Sequence, residues 1–298
     1  MADSTAIRTQ GLVKFYAEFQ ALYGVDLEVE TGEIFGFLGP NGAGKTTTVR
    51  CLLDLIHRND GTVEVLGIDP QEDPVGVQRR VGYLPGELNL DNNLTAKALL
   101  RYFNEIRGKV ADWAYINELA DRISLDIERP IRNLSHGNKQ KVGIVQAMMH
   151  KPELLLFDEP TQGLDPLVQQ EVLTMLKEAR EAGATVFFSS HIMSEVEAIA
   201  DRVGIIRGGR IVEVAQPSAL AERALNRARV RFMEKVDTEA LSQVPGVRVL
   251  SSSNGTEVLV EVEGEMDKLI KALASYPVSD FETQRPSLEE IFLAYYKE

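Results

Sequence analysis

The chain has 298 residues, which suits two domains better than one, and 44% of them are apolar, enough to bury a sizeable core. Its 45 acidic against 32 basic side chains leave a formal charge of −13, so it lacks the clustered Lys and Arg that neutralise a phosphate backbone, and a nucleic-acid partner is not expected. One cysteine, Cys51, excludes an internal disulfide and fits a reducing compartment. No apolar run is long enough to span a bilayer and no signal-peptide pattern opens the chain, so membrane contact is expected only through a partner.

From about Ile7 to Val29 the alternation of apolar and polar residues predicts short antiparallel strands. Tyr16, within them, either stacks on a base or packs in the β-layer. The run Glu33 to Leu38 then leads into Gly39-Pro40-Asn41-Gly42-Ala43-Gly44-Lys45-Thr46-Thr47, after which helical spacing continues to about His57. A strand, the G-x-x-x-x-G-K-[ST] pattern and a helix together make a P-loop. Its backbone N–H groups can cradle phosphate oxygens, Lys45 can reach the β- and γ-phosphates, and the Thr46 hydroxyl can hold Mg²⁺. Gly61 to Gly67 and Val81 to Leu84 read as strands. Helices follow from Leu94-Thr95 and from about Ala111 to Ile123, and after Pro130 another runs from the Asn133 to Gln140 stretch to about His150. Residues 87–150 are thus an all-helical insertion.

Leu154 to Phe157 is a continuous apolar run that ends in Asp158 and Glu159, as a strand buried on both faces would deliver acids to the edge of a parallel sheet. Asp158 is placed to share the Mg²⁺ of Thr46, and Glu159 to act as general base for in-line attack of water on a γ-phosphate. A helix to about Ala182 and a strand Ala184 to Phe188 bring His191 to the same edge, where it either contacts phosphate and water or is a surface residue. Val203 to Ile206 and Gly209 to Glu213 read as a closing hairpin. Near Gln216-Pro217 the pattern changes to strand, helix, strand, Asn254-Gly255 turn, strand, helix, strand, a ferredoxin-like order, with a last amphipathic helix from Ser287. The expected division is residues 1–215, an ATPase domain, and 216–298, an accessory domain.

Taken in order, these motifs resemble the nucleotide-binding subunit of ABC transporters. Tyr16 is similar to the family's adenine-stacking aromatic, Gly39 to Thr46 to its Walker A loop, and Leu134-Ser135-His136-Gly137-Asn138 to its signature. Leu154 to Asp158 resembles Walker B, Glu159 the catalytic glutamate, Gly163-Leu164-Asp165 the D-loop, and His191 the switch histidine. The resemblance implies an α/β P-loop fold with a mainly parallel sheet, an N-terminal antiparallel β-layer and a helical subdomain, followed by a small ferredoxin-like α+β domain. It implies ATP and Mg²⁺ as ligands, and a head-to-tail homodimer, or a pair with a related ATPase subunit, in which Ser135 and Gly137 meet the ATP on the other chain. It also implies separate transmembrane permease subunits at the cytoplasmic face of the membrane, and the single-cassette layout looks like the antibiotic, multidrug and polysaccharide efflux class. Two departures stand out: His136 and Asn138 replace glycine and glutamine in the signature, and Gly86-Glu87 stands where the family has a glutamine that contacts Mg²⁺. Glu87 is the candidate substitute. The alternative reading is a soluble ABC ATPase in a non-transport process, and a further one is an ATP-gated clamp, which Glu159 and His191 oppose.

Overall fold

Apolar and polar residues alternate along β1 (Thr5–Tyr16) and β2 (Phe19–Glu30), and the two pair as an antiparallel hairpin that buries Ile7, Leu12, Leu22, Val25 and Val29. These are two long strands with register shifts rather than the short strands the sequence suggests. In this computed structural model, which describes residues 5–223, 226–263 and 266–284, the chain divides into two compact units, Met1–Gln216 and Pro217–Glu298.

In the first unit, β3 (Ile34–Leu38) is buried along its whole length and runs into α1 (Lys45–Leu52). The helix stops short of His57 because Leu53 caps it and Asp54 turns left-handed, with φ of 50°. β4 (Asp60–Val65) adds to β1, giving a three-stranded layer in the order β2-β1-β4. A helix the periodicity does not reveal, α2 (Pro74–Arg80), starts on an Asp73 side chain that accepts from the Gly76 N–H. After β5 (Val81–Leu84) come α3 (Ala96–Ile106), capped by Thr95, α4 (Trp113–Arg122), capped by Asp112, and α5 (His136–Met148), capped by Ser135. The chain then alternates through β6 (Leu154–Asp158), α6 (Pro166–Glu181), β7 (Thr185–Ser190), α7 (Met193–Ile199), β8 (Arg202–Arg207) and β9 (Arg210–Ala215).

These strands form a six-stranded sheet in the order β5-β6-β7-β3-β8-β9, parallel except for the last pair. All residues of β3, β6 and β7 are buried, which is why the sequence shows apolar runs at Ile34 to Leu38, Leu154 to Phe157 and Val186 to Phe188. Phe187 packs at their centre, its ring 5.8 Å from Phe35 and 5.3 Å from Phe37. Register pairs Leu38 with Ser190 and Asp158 with Ser189, so the carboxyl ends of three neighbouring strands open on one edge. Arg122 of α4 ties the helical insertion to α6 through Glu171 at 2.6 Å and through Glu178.

Cys51 is buried and its thiol is pushed up to about 11 by that burial, so it behaves as a small apolar residue. His150, just beyond α5, has Nε2 3.3 Å from the Val81 carbonyl, and its buried Nδ1 has no partner among the described residues. Burial first, then the nearby Arg107, pushes its pKa from 6.5 down to about 4. Between those values the unfolded chain takes up a proton that the folded chain refuses, so stability present above pH 6.5 is lost as the pH falls toward about 4. Thermal unfolding of His150→Gln across this window is expected to show a shallower loss than the parent chain. Parallel curves would remove His150 from the acid sensitivity.

The second unit comprises α8 (Pro217–Arg223), β10 (Asn226–Phe232), α9 (Thr238–Ser242), β11 (Val247–Ser253), β12 (Glu257–Val262), α10 (Asp267–Leu273) and β13 (Val278–Gln284). Its antiparallel sheet has the order β11-β12-β10-β13, the split β-α-β arrangement, over a core that includes Val230, Leu241, Val260 and Leu269. The last helix expected, from Ser287, lies outside the described residues. No helix among the described residues is long and apolar enough to cross a membrane.

Candidate functional site

Gly39 to Gly44 link β3 to α1, and the site begins with how that helix starts. Gly44 stands at its N-cap with φ of 113°, a conformation L side chains rarely adopt, and a Cβ there would come within 2.8 Å of Leu22 Cδ2. Among the described residues no side chain caps α1, so its first N–H groups are available to a ligand, and the helix dipole favours an anion there. Asn41 and Gly42 are exposed at the lip, Ala43 is buried, and Pro40, Thr46 and Thr47 are half-buried. The Lys45 ammonium, only 5% exposed, donates to the carbonyls of Gly39 at 2.5 Å and Pro40 at 3.3 Å.

Asp158, at the end of β6, is buried and accepts from the Thr46 hydroxyl at 2.6 Å and from the Ser189 hydroxyl on its other oxygen. Thr46 and Asp158 thus offer two hard oxygen donors side by side. Among the described residues no cluster of three His, Cys, Asp or Glu could hold a metal. A divalent cation here would therefore need further oxygens from phosphate and water, which is how Mg²⁺ is commonly bound. The donor set fits it.

Glu159 follows with φ of 55°, its N–H donating to the Ser189 carbonyl at 3.2 Å and hydroxyl at 3.1 Å. This turn aims the carboxylate across the loop. Oε2 meets His191 Nδ1 at 2.6 Å, and Oε1 lies 3.2 Å from the Lys45 ammonium. Among the described residues Oε1 has no directed hydrogen bond, so its link to Lys45 is Coulombic. Lys45, Thr46, Asp158, Glu159 and His191 therefore stand together at one edge of the sheet.

The other residues singled out in the sequence lie apart from that group. Ser135 is exposed and its hydroxyl accepts from the Asn138 N–H at 3.3 Å as the cap of α5; Gly137 is half-buried one position into the helix beyond His136. No hydrogen bond or ion pair among the described residues joins Ser135 or Gly137 to Lys45, Thr46 or Asp158. Tyr16 is exposed on the β1–β2 hairpin, with the Lys14 ammonium 5.4 Å from its ring centre. Glu87 is exposed and bonded to neither Thr46 nor Asp158; its neighbour Gly86 faces the site, where an added Cβ would lie 3.1 Å from Asp158 Oδ2.

Three supports escape the sequence reading. Ser189 holds both Asp158 and the Glu159 backbone. Gln140 donates to the Glu159 and Pro160 carbonyls at 3.1 and 3.4 Å. Glu195, buried on α7, accepts from the Thr161 hydroxyl at 2.5 Å and the Ser190 hydroxyl at 2.7 Å, which ties the loop after Glu159 to the segment that carries His191. A carboxylate beside the apolar stripe Met193, Val196 and Ile199 was a readable signal for the last of these.

The family described as ABC transporter matches residues 22–162, and that described as ATP-binding protein DrrA1-3-like, C-terminal domain, matches residues 222–296. The bacitracin transport ATP-binding protein BcrA of Bacillus licheniformis is 38% identical over 77% of this chain and 75% of its own length. The daunorubicin/doxorubicin resistance ATP-binding protein DrrA of Streptomyces peucetius is 32% identical over 97% of this chain and 92% of its own. A solved ATP-binding subunit of an ABC transporter is 28% identical and superposes with a TM-score of 0.67 over 72% of this chain and 92% of that one.

Proposed function

The chain belongs to the ATP-binding subunits of ABC transporters, an ATPase family, and on that premise we propose that it hydrolyses ATP to drive export of a drug, antibiotic or other amphipathic compound through a separate permease. The observation that carries the reading is the gathering of Lys45, Thr46, Asp158, Glu159 and His191 at one edge of the parallel sheet. Export is favoured over a soluble role because the likeness to a drug-resistance protein runs through both units of the chain.

The residues divide the work as follows. The N-terminus of α1 and Lys45 bind the phosphates, and Tyr16 offers its exposed face to adenine. Thr46 and Asp158 hold Mg²⁺, which when bound neutralises phosphate charge. Glu159 takes a proton from the attacking water, and His191, on its other oxygen, orients it. Ser135 is exposed and Gly137 half-buried at the start of α5, and neither bonds to Lys45, Thr46 or Asp158 among the described residues, which suits a contact with ATP on a second copy or a related subunit. The first unit is the ATPase domain and the second an accessory one.

A groove of about 290 Å³ lined by Leu53, Leu55, Tyr83, Pro85, Leu88 and Phe103 lies beside Gly86 and is the candidate seat for the permease. Leu55, Tyr102 and Ile106 are exposed apolar side chains on the elements that bound it. On this reading the subunit works at the cytoplasmic face of the membrane through its partner. Co-expression with a candidate permease is expected to move the chain to the membrane fraction and to confer resistance to the exported compound. A chain that hydrolyses ATP yet captures no membrane protein would favour the soluble alternative.

Glu87 is proposed as a further oxygen donor that the Gly86 hinge draws toward Asp158 once ATP is bound. Glu87→Ala should then raise the Mg²⁺ concentration needed for half-maximal turnover by several-fold. An unchanged Mg²⁺ dependence, with and without permease, would leave Thr46 and Asp158 as the only protein ligands.

A further inference from the structure

Gln140 lies early in α5, beyond the Ser135 cap, and is 2% exposed. Both of its described bonds run from Nε2 to the loop after β6: to the Glu159 carbonyl at 3.1 Å and the Pro160 carbonyl at 3.4 Å. Glu159 occupies the left-handed region, with φ of 55°, which an L side chain enters only when its surroundings hold it there. Here Ser189 grips the residue at its N–H and Gln140 at its carbonyl. That backbone conformation sets the direction of the Cα–Cβ bond, and so the place of the carboxylate between Lys45 and His191.

The first turn of α5 bears on the same loop. A Cβ on Gly137 would stand 2.4 Å from the Gly163 carbonyl oxygen, and one on Gly163 would stand 2.8 Å from His136 Cδ2. Helix and loop are packed without slack, so a displacement of the helix start is passed to the loop and, through Gln140, to Glu159.

We propose that Gln140 is a positioning residue that links the Glu159 carboxylate to the helix whose N-terminus meets the second nucleotide, so that each ATP site of the dimer is set by occupancy of the other. The inference rests on the proposed function in one respect, that Ser135 and Gly137 contact ATP on the second chain. ATP engaged there fixes the start of α5, and Gln140 then holds the Glu159 turn in its working conformation. Without that contact only the packing within the chain holds the start of α5, and Glu159 keeps its place less firmly through catalysis. Binding at one site thereby licenses hydrolysis at the other.

Gln140→Met keeps the length of the side chain and removes both donors. Its kcat is expected to fall about 10- to 10²-fold, the scale of an ångström-level misplacement, with the Kd of a fluorescent ATP analogue nearly unchanged and the Hill coefficient of turnover dropping from above 1 toward 1. Should this buried change unfold the chain, Gln140→Glu decides. Its ionised carboxylate would face two carbonyl oxygens, whereas its protonated form regains one O–H donor. Its rate relative to the parent is therefore expected to rise as the pH is lowered, which a space-filling role would not produce. A folded Gln140→Met with the parent's kcat and Hill coefficient, or a Gln140→Glu ratio flat with pH, overturns the proposal. Glu159→Gln separates this failure from failure of the site assignment: if that variant is inert while Gln140→Met is not, only the coupling falls, and if it hydrolyses ATP normally, the role of Glu159 falls.

Discussion

Glu159→Gln is expected to bind ATP nearly as the parent chain does and to turn it over about 10²-fold more slowly or worse, the scale lost with a general base. The amide has the shape of the carboxylate, so the loop can keep its place. Its oxygen can face the Lys45 ammonium, 3.2 Å from Oε1 in the parent, and its NH₂ then points to His191 Nδ1, 2.6 Å from Oε2. That nitrogen must now accept, which leaves the ring proton on Nε2. Contacts therefore survive while the group proposed to take the proton from water is gone. With hydrolysis stopped, ATP stays between the chains, and a dimer should persist on size exclusion in ATP. A monomer under those conditions would count against a site shared by two chains, and undiminished turnover would remove Glu159 from the chemistry.

What could be read from the sequence was whatever is local. β3, β6 and β7 announce themselves because strands covered on both faces carry continuous apolar stretches, and the P-loop does so because its glycines, lysine and threonine stand close together in the chain. Thr95 marks a helix start that the structure keeps, accepting from the Ala98 N–H of the first turn. Two short helices, α2 and α7, went unread: seven residues give too little period, although Asp73-Pro74 was a usable start signal. The supports of the site stayed hidden for a different reason. Ser189 to Asp158, Gln140 to Glu159 and Glu195 to Thr161 are bonds between residues far apart in the chain, made by side chains that have no fixed spacing to betray them. The glycine that departs from the family's pattern at position 86 proved informative only once Asp158 was found beside it.

Lys45→Ala is expected to weaken ATP binding by about 10²-fold or more, and to take turnover with it, while leaving the fold in place. The ammonium is held ready by the loop's own carbonyls, Gly39 at 2.5 Å and Pro40 at 3.3 Å, directly before the uncapped start of α1. Its removal would lose the proposed charge-assisted bonds to phosphate, worth roughly 1.5–3 kcal/mol each. A second loss follows from the geometry. Among the described residues Glu159 Oε1 is buried and faces no donor except this ammonium, 3.2 Å away, so the variant leaves the carboxylate with His191 alone on its other oxygen and a less compensated negative charge beside the phosphates about to arrive. Neutralising that charge should recover part of the affinity. The double variant Lys45→Ala, Glu159→Gln is therefore expected to bind ATP more tightly than Lys45→Ala alone, although it cannot hydrolyse it, and a double-mutant cycle on Kd measures the coupling. Equal affinities for the two would show that Glu159 adds nothing to the penalty, and near-normal ATP binding by Lys45→Ala would overturn the phosphate role of Lys45 itself.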